Sequence, residues 1–546
     1  MLAVEPSSPS VKRVSRRFDH LIAGSGFSGS LLAWILASQG RSVLLVDRSC
    51  HPRFAVGESS TPTADFLVAY LAQRWNLPAL APLACWGQWK KHYPQLACGK
   101  KRGFSYYHHQ EGYHHQGGAA IERSKLYSES LLVAASSQDA WSDTHWHRSS
   151  VDEFLVRQAC AAGATLLEST QIDACEFDPV EHRWSFSLRT FAEKGLASRV
   201  DHCQDSFSEV QATWLIDATG HHGLKSPSID NPEDSQWMRT GTGAVYGHFE
   251  GVSPFVEAAH ESDPFCGDDA AQHHVLDQGW FWMLRFDHGI TSVGLVEPSS
   301  VARSPKTFWE RIERHPSVAR LMQRAKLIAP LGTASDGTVG EPALATVQRM
   351  SRCRLKAWDK GWVCLPVSYG FIDPLHSTGI AHALSGVVRL AESLLMDRPQ
   401  CYASLHAYGQ DLRQEIQWLD LLVAGCYAGQ PAFENFVAFA CMYFVSAIEF
   451  EKQLATDPAR WPKGFLQSRD LQLAQVANEA YQLLDRARLD PKLACKFPEA
   501  VRRAIEPWNR VGLLDPANGN RIAHSVAPKY ASSIESLCGG LGSSSK

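Results

Sequence analysis

The chain opens on an apolar stretch, Phe18-Asp-His-Leu-Ile-Ala, which breaks at Gly24-Ser-Gly-Phe-Ser-Gly29. It resumes as a longer apolar segment and returns as Arg41-Ser-Val-Leu-Leu-Val-Asp47. Short apolar run, glycine turn, long apolar run and second short run predict strand, turn, helix and strand. Phe66 to Leu71 is amphipathic. Residues 100 to 120 are aromatic and Gly-rich and predict a hairpin with its turn at Gln110-Glu111-Gly112. Val151, Phe154, Leu155, Gln158 and Ala159 share one face of a helix from Val151 to Ala162. Strand patterns fill 164 to 216, ending in Trp214-Leu-Ile-Asp-Ala-Thr-Gly220, and antiparallel strands are expected over 240 to 300. Gly361 to Gly370 reads as a buried strand, followed by a helix from Ala381 to about Leu395. Beyond Tyr402 the spacing is helical: Leu412, Ile416, Leu419, Val423 and Cys426 form one apolar face.

The glycine turn is the first element with chemistry. Gly24 permits the tight turn, Gly26 lets a pyrophosphate approach the backbone, and Gly29 lets the helix pack closely on the strand. Ser25 lies between them, and the free N–H groups of the helix start favour an anion. Asp47 ends the second strand, where an acid bonds ribose hydroxyls. The first candidate site is therefore a dinucleotide held by Gly24, Ser25, Gly26, Gly29 and Asp47.

Composition narrows the picture. At 546 residues the chain is too long for one ordinary core. A net charge of −4 gives no electrostatic case for nucleic acid. The 14 cysteines include no C-x-x-C pair, which suits reduced thiols in a cytoplasmic protein. Seventeen tryptophans suggest aromatic-lined cavities or aromatic packing. The first 17 residues lack the apolar core of a signal peptide and read as a disordered tail. The most apolar run, Phe436 to Ile448, is too short to span a bilayer, so a buried helix and no membrane partner are expected. His108-His109 and His114-His115 flank the predicted turn, but no carboxylate or cysteine completes a ligand set, so no metal is assigned.

The order of these motifs, with Asp373-Pro feeding a helix at Gly379, resembles the single-FAD monooxygenase fold of aromatic hydroxylases, geranylgeranyl reductases and flavin-dependent halogenases. Further segments resemble the halogenase branch: Gly57-Glu-Ser-Ser-Thr-Pro62, Lys101-Arg-Gly-Phe-Ser-Tyr106, Gly279-Trp-Phe-Trp282 with Thr291-Ser-Val-Gly294 downstream, and Pro374-Leu-His-Ser-Thr-Gly-Ile380. Arg148-x-x-Val-Asp152 resembles the R-x-x-F-D helix start of the same fold, where Asp152 would favour the first helical turn by its charge.

The resemblance implies an α/β fold: a Rossmann-like FAD-binding domain over 18–400 with antiparallel-sheet substrate insertions at about 60–145 and 225–345. A helical C-terminal region over 401–515 and a tail over 516–546 complete it. It implies FAD contacts at Asp373 and Gly379 and a halide, chloride or bromide, held at Ser377, Thr378 and Gly379. Reduced FAD and O2 would oxidise the halide to hypohalous acid. Lys101 would receive that oxidant, as a chloramine or by hydrogen bonding, and deliver it to an aromatic or electron-rich small molecule. Among the departures, His376 replaces a glutamate of tryptophan-specific enzymes and would act as a base or a polar wall. Arg285 stands where the W-x-W segment ends in Ile-Pro, and Pro366-Val367 replaces Gly-Asp before the flavin segment. No second dinucleotide turn is present, so electrons would come from a separate flavin reductase or from NAD(P)H binding transiently. The alternatives are an FAD-dependent aromatic monooxygenase, a geranylgeranyl-reductase-like enzyme and a degenerate flavin-binding protein.

Overall fold

The computed structural model describes residues 16–112, 129–191, 208–221, 223–224, 228–255, 263–333 and 339–523. The predicted opening unit is present as strand Arg16–Ala23, helix Phe27–Ser38 and strand Val43–Val46. These belong to a sheet in which Trp362–Cys364, Glu209–Asp217, Arg16–Ala23, Val43–Val46 and Thr165–Leu167 run parallel. Ala23 pairs with both Val46 and Asp217, so the glycine turn and the Asp-Ala-Thr-Gly segment emerge side by side at the carboxyl edge. That edge is where ligands bind in open parallel sheets.

The two insertions do not form separate sheets. Gly103–His108 from the first pairs in parallel with Ala271–Val275 from the second. Around this junction lie Ser130–Ala134, Trp280–Arg285, Ile290–Pro298, Thr242–Glu250 and Lys326–Ala329. The strands expected over 240 to 300 are thus found. The strand Gly103–His108 meets Ser130–Ala134 antiparallel rather than closing a hairpin within 100–120. The His108-His109 pair is packed: His109 Nε2 is 2.8 Å from His274 Nδ1, and His108 stacks on Phe433 at 5.2 Å. His114 and His115 lie outside the described residues.

Three boundaries move. The first strand begins at Arg16, inside the expected tail. The expected strand 361–370 is split into Trp362–Cys364 and Gly370–Phe371, because Pro366 starts a helical turn over Pro366–Tyr369 between them. The expected tail from 516 contains strand Arg521–Ile522, which joins the second sheet, with Arg521 donating to Asp263 at 2.7 Å and to Ser130 Oγ at 2.9 Å.

The C-terminal region is helical as expected, led by Arg398–Gly429 and Phe433–Thr456. By length and composition the second helix is able to cross a membrane, and it is longer than the apolar run suggested. Yet 89% of its most apolar window is buried in the protein. Phe436 and Phe444 pack edge-on against Tyr106, and Tyr443 and Phe444 against Phe104. It is a core helix that closes the second sheet.

Candidate active site

A cavity of about 860 Å³ runs from the glycine turn to the start of helix Thr378–Ser393. Gly24, Gly26 and Asp47 line one end, and Ser377 and Gly379 the other. At Gly24 (φ +104°) a Cβ would lie 2.4 Å from the Ala218 carbonyl, so the turn and the Asp-Ala-Thr-Gly segment fit only without a side chain. At Gly29 a Cβ would lie 2.2 Å from the Gly24 carbonyl, which is the close helix–strand packing the motif requires. Gly26 differs: a Cβ there meets nothing closer than 3.7 Å, and the nearest groups are Arg148 Nη2, Arg53 Nη2 and Asp152 Oδ2. Open space faced by two guanidiniums at an uncapped helix start fits a pyrophosphate.

Asp47 accepts from Ser25 N and Ser25 Oγ, both at 2.8 Å, and from Arg53 at 3.2 Å. Burial raises its pKa, but Arg53 and the hydrogen bonds from Ser25 and Ser49 outweigh that and hold it below the ordinary value. It is a fixed carboxylate suited to accepting ribose hydroxyls. Ser25 and Gly29 shape this end from beneath and are not part of the lining.

Arg53 and Arg148 are cavity residues that glycine spacing alone does not reveal. Arg148 makes paired 2.9 Å bonds to Asp152 and donates to the Val56 carbonyl at 2.8 Å and the Gly57 carbonyl at 3.2 Å. Asp152 therefore orients a buried arginine rather than favouring the first helical turn by its charge. The signal was the Arg-x-x-x-Asp spacing, which places both side chains on one helix face.

At the other end, Ser377 has φ +53°, an uncommon backbone for a residue with a Cβ, and it turns the chain into the helix. A Cβ on Gly379 would meet only Phe371, at 3.5 Å, so the glycine leaves room on its cavity side. Thr378 is buried beside it and is not part of the lining. The Asp373 carboxylate is not part of the lining either. It accepts from Thr242 Oγ1 at 2.6 Å, Leu375 N at 2.9 Å and Tyr427 OH at 2.9 Å. Burial raises its pKa to about 6 against those bonds. The expected cofactor contact by this side chain is therefore corrected: Asp373 ties the segment to the second sheet and the helical region.

Trp280 and Trp282 line the middle of the cavity. Trp282 pairs across the sheet with Gly294 and donates to Ser292 Oγ at 3.1 Å. A Cβ on Gly294 would come within 2.2 Å of the indole, so Trp282 fits only against a glycine there. Arg285, at the altered end of that segment, pairs with Asp268 at 2.7 Å and donates to the Val252 and Ser253 carbonyls. Val367 and Ser368 line the cavity where Gly-Asp is replaced, and Ser368 Oγ accepts from Gly220 N at 2.9 Å.

Lys101 and His376 are both fully buried and outside the cavity lining. The Lys101 ammonium donates to the Ser60 carbonyl, lies 4.0 Å from the Phe104 ring centroid, and is 3.9 Å from Asp143 Oδ2. Burial lowers its pKa to about 8, against the pull of Asp143, Asp65 and Glu451. A surface role for the Lys-Lys-Arg run is therefore excluded at this position. His376 stacks on Tyr443 at 4.3 Å, with Nε2 3.6 Å from Cys426 Sγ. Burial drops its pKa to about 3, so it is neutral and a weak base. A neutral, weakly basic ring does not suit a general base, and outside the lining it forms no wall of this cavity. Among the described residues no cluster of His, Cys, Asp or Glu is arranged to hold a metal.

Comparisons with known proteins agree with this geometry. Residues 110–428, more than half of the chain, match the tryptophan halogenase family, and residues 22–80 match an NAD(P)-binding Rossmann-like domain. The chain is similar to tetracycline 7-halogenase of Kitasatospora aureofaciens, 25% identical over 75% of this chain and 69% of the relative. It is also similar to monodechloroaminopyrrolnitrin halogenase PrnC of Pseudomonas fluorescens, 24% identical over 83% and 75%. The fold matches the solved structure of halogenase PltM in complex with phloroglucinol and FAD, with TM-score 0.76 at 20% identity over 92% of this chain and 99% of that one. With its FAD-shaped groove and its match over more than half its length, the chain belongs to the tryptophan halogenase family of flavin-dependent halogenases, FAD-dependent oxidoreductases that halogenate aromatic small molecules.

Proposed function

We propose that this halogenase acts on an electron-rich aromatic ring such as a phenol or pyrrole, with Lys101 as the residue that hands over the halogen. One observation carries the reading: a fully buried lysine with a lowered pKa stands among aromatic side chains, Phe104 nearest, outside the flavin groove. The PrnC and PltM names support phenol and pyrrole chemistry, since their compounds are an aminopyrrolnitrin and phloroglucinol. His376, neutral where tryptophan-specific enzymes carry an acid, points the same way.

FAD fits between Asp47 and Gly379: Gly26, Arg53 and Arg148 would hold its pyrophosphate, Asp47 its ribose, and Ser377–Gly379 the backbone side of its ring. When bound and reduced, it supplies the electrons that let O2 oxidise chloride or bromide to hypohalous acid. The N–H groups at Thr378 and Gly379 begin a helix, whose positive end suits a halide. Trp280 and Trp282 wall the ring from bulk solvent and from the substrate. Lys101 meets the oxidant, and the aromatic residues around it exclude water and favour a flat, apolar substrate. The single dinucleotide turn supports a separate flavin reductase as the electron source, and the scattered cysteines support a cytoplasmic setting.

The test is reconstitution with FAD, NADH, a generic flavin reductase and chloride or bromide, against a panel of phenols, pyrroles and tryptophan, read by mass spectrometry. Halide-dependent monohalogenated phenol or pyrrole is expected. Hydroxylated product without halide, or halogenated tryptophan alone, would overturn the substrate reading.

A further inference from the structure

Lys101 does not stand alone. Three carboxyl groups from three elements are buried around it: Asp65 on helix Pro62–Arg74, Asp143 on strand Asp143–Trp146, and Glu451 on helix Phe433–Thr456. Lys101 and Asp143 are direct cross-strand partners. Ser60 Oγ donates to Asp65 Oδ1 at 3.0 Å, and Thr63 Oγ1 donates to Glu451 Oε1 at 3.0 Å. Asp143 Oδ2, the oxygen 3.9 Å from the lysine, is buried with no hydrogen-bond partner of its own. Of the other titratable neighbours, His145 and His273 are neutral because burial drops both to about 3, and Tyr443 is neutral because burial and the Glu451 and Asp143 carboxyls push its phenol up.

One ammonium cannot neutralise three carboxylates in a dry interior, so two of the three hold protons. Burial pushes Asp65 and Glu451 up, and the charge of Asp143 raises both further. Protonated Asp65 hydrogen-bonds to Asp143, leaving Asp143 as the charged member that faces Lys101.

We propose that Asp143 is the proton partner of Lys101, with Asp65 and Glu451 as positioning residues that keep Asp143 the one carboxylate of the cluster. The inference rests on the proposed role of Lys101. The ammonium proton passes to Asp143, which becomes a neutral acid, and Lys101 becomes a free amine. The amine nitrogen then attacks the halogen of hypohalous acid. The N–X bond forms, the O–X bond breaks, and the departing hydroxide leaves as water with the proton that the nitrogen loses. When the halogen has gone on to the ring, the proton displaced from the carbon returns the nitrogen to the amine, and Asp143 gives its proton back to restore the ammonium and its own carboxylate.

The pairing is read directly by NMR of the FAD-loaded protein carrying 13Cε-labelled lysine, with the Lys101 signal identified by its loss in Lys101→Met. A midpoint near pH 8 is expected in the unmodified protein. Asp143→Asn removes the charge that favours the ammonium and should lower the midpoint by about one pH unit or more. Asp143→Glu should bring it back. Halogenation of the first phenol accepted from the panel should fall on the order of 100-fold in Asp143→Asn, with flavin oxidation unchanged. An unshifted Lys101 midpoint in Asp143→Asn overturns the pairing. If Asp143→Asn fails to retain FAD, infrared difference titration of Lys101→Met replaces it. One buried carboxyl band should then move to higher pH, and an unmoved band overturns the pairing. Halogenation lost in Lys101→Met but unimpaired in Asp143→Asn sinks this inference alone. Halogenation surviving Lys101→Met sinks the lysine assignment beneath it.

Discussion

The flavin groove and the Lys101 cluster handle charge in opposite ways. The groove is built by omission: glycines at 26 and 379 leave space, Gly24 lets the backbones close up, and Arg53 and Arg148 face it. Its guanidiniums, held by Asp152 and Asp47, face the space where a phosphate would sit. The Lys101 cluster is built by enclosure: one cation and three carboxyls are sealed under aromatic side chains, with pKa values moved by burial. The first arrangement binds an anion, and the second makes a proton movable near neutral pH. Keeping them apart lets one chain hold a large polar cofactor in an open groove and still keep a lysine in a sealed interior.

Four measurements press on that contrast. Lys101→Ala should lower halogenation on the order of 1000-fold or more, while FAD binding and halide-independent peroxide release, followed by absorbance, stay intact. Loss of flavin binding would mean the two regions are one. Gly24→Ala places a Cβ at φ +104° within 2.4 Å of a carbonyl. It should weaken FAD by about 3 kcal/mol, roughly 100-fold by fluorescence titration, and leave the Lys101 titration unmoved. Arg53→Ala removes a partner of Asp47 and a neighbour of Gly26. A loss of about 2 kcal/mol in FAD affinity is expected, steepest at low salt, and equal affinity would remove Arg53 from the pyrophosphate site.

The last effect is on stability against pH. Glu451 titrates at about 8 in the folded protein and at 4.5 in its ordinary state. Its folded value is raised, so its contribution is complete below pH 4.5 and is lost as pH rises through 8. Glu451→Gln should flatten that decline by about 1 kcal/mol per pH unit, measured by urea unfolding between pH 5 and 8. An unchanged slope would mean the carboxyl is not sealed.

The groove was legible in the sequence because its requirements are local. A turn that needs φ > 0, a helix that must touch a strand and an acid that ends the next strand fall within thirty residues, from Gly24 to Asp47. Residues 374–380 were legible for the same reason. The arginines were harder: Arg148 becomes a groove residue only because Asp152 turns it and the Val56 and Gly57 carbonyls anchor it. His376 read equally well as base or wall, and only the structure shows that it is stacked, neutral and buried outside the cavity lining.

From the sequence alone came the dinucleotide turn, the family's order of motifs, and Lys101 as the residue to watch. Tertiary structure decided what surrounds that lysine. Asp65, Asp143 and Glu451 lie on elements far apart in the chain, and no spacing links them. Three elements of the first insertion and a C-terminal helix bring them together, and the burial that shifts their protons is a property of the closed fold. Residue type fixes which groups ionise; only the low-dielectric surroundings assembled by long-range packing fix where on the pH scale they do so.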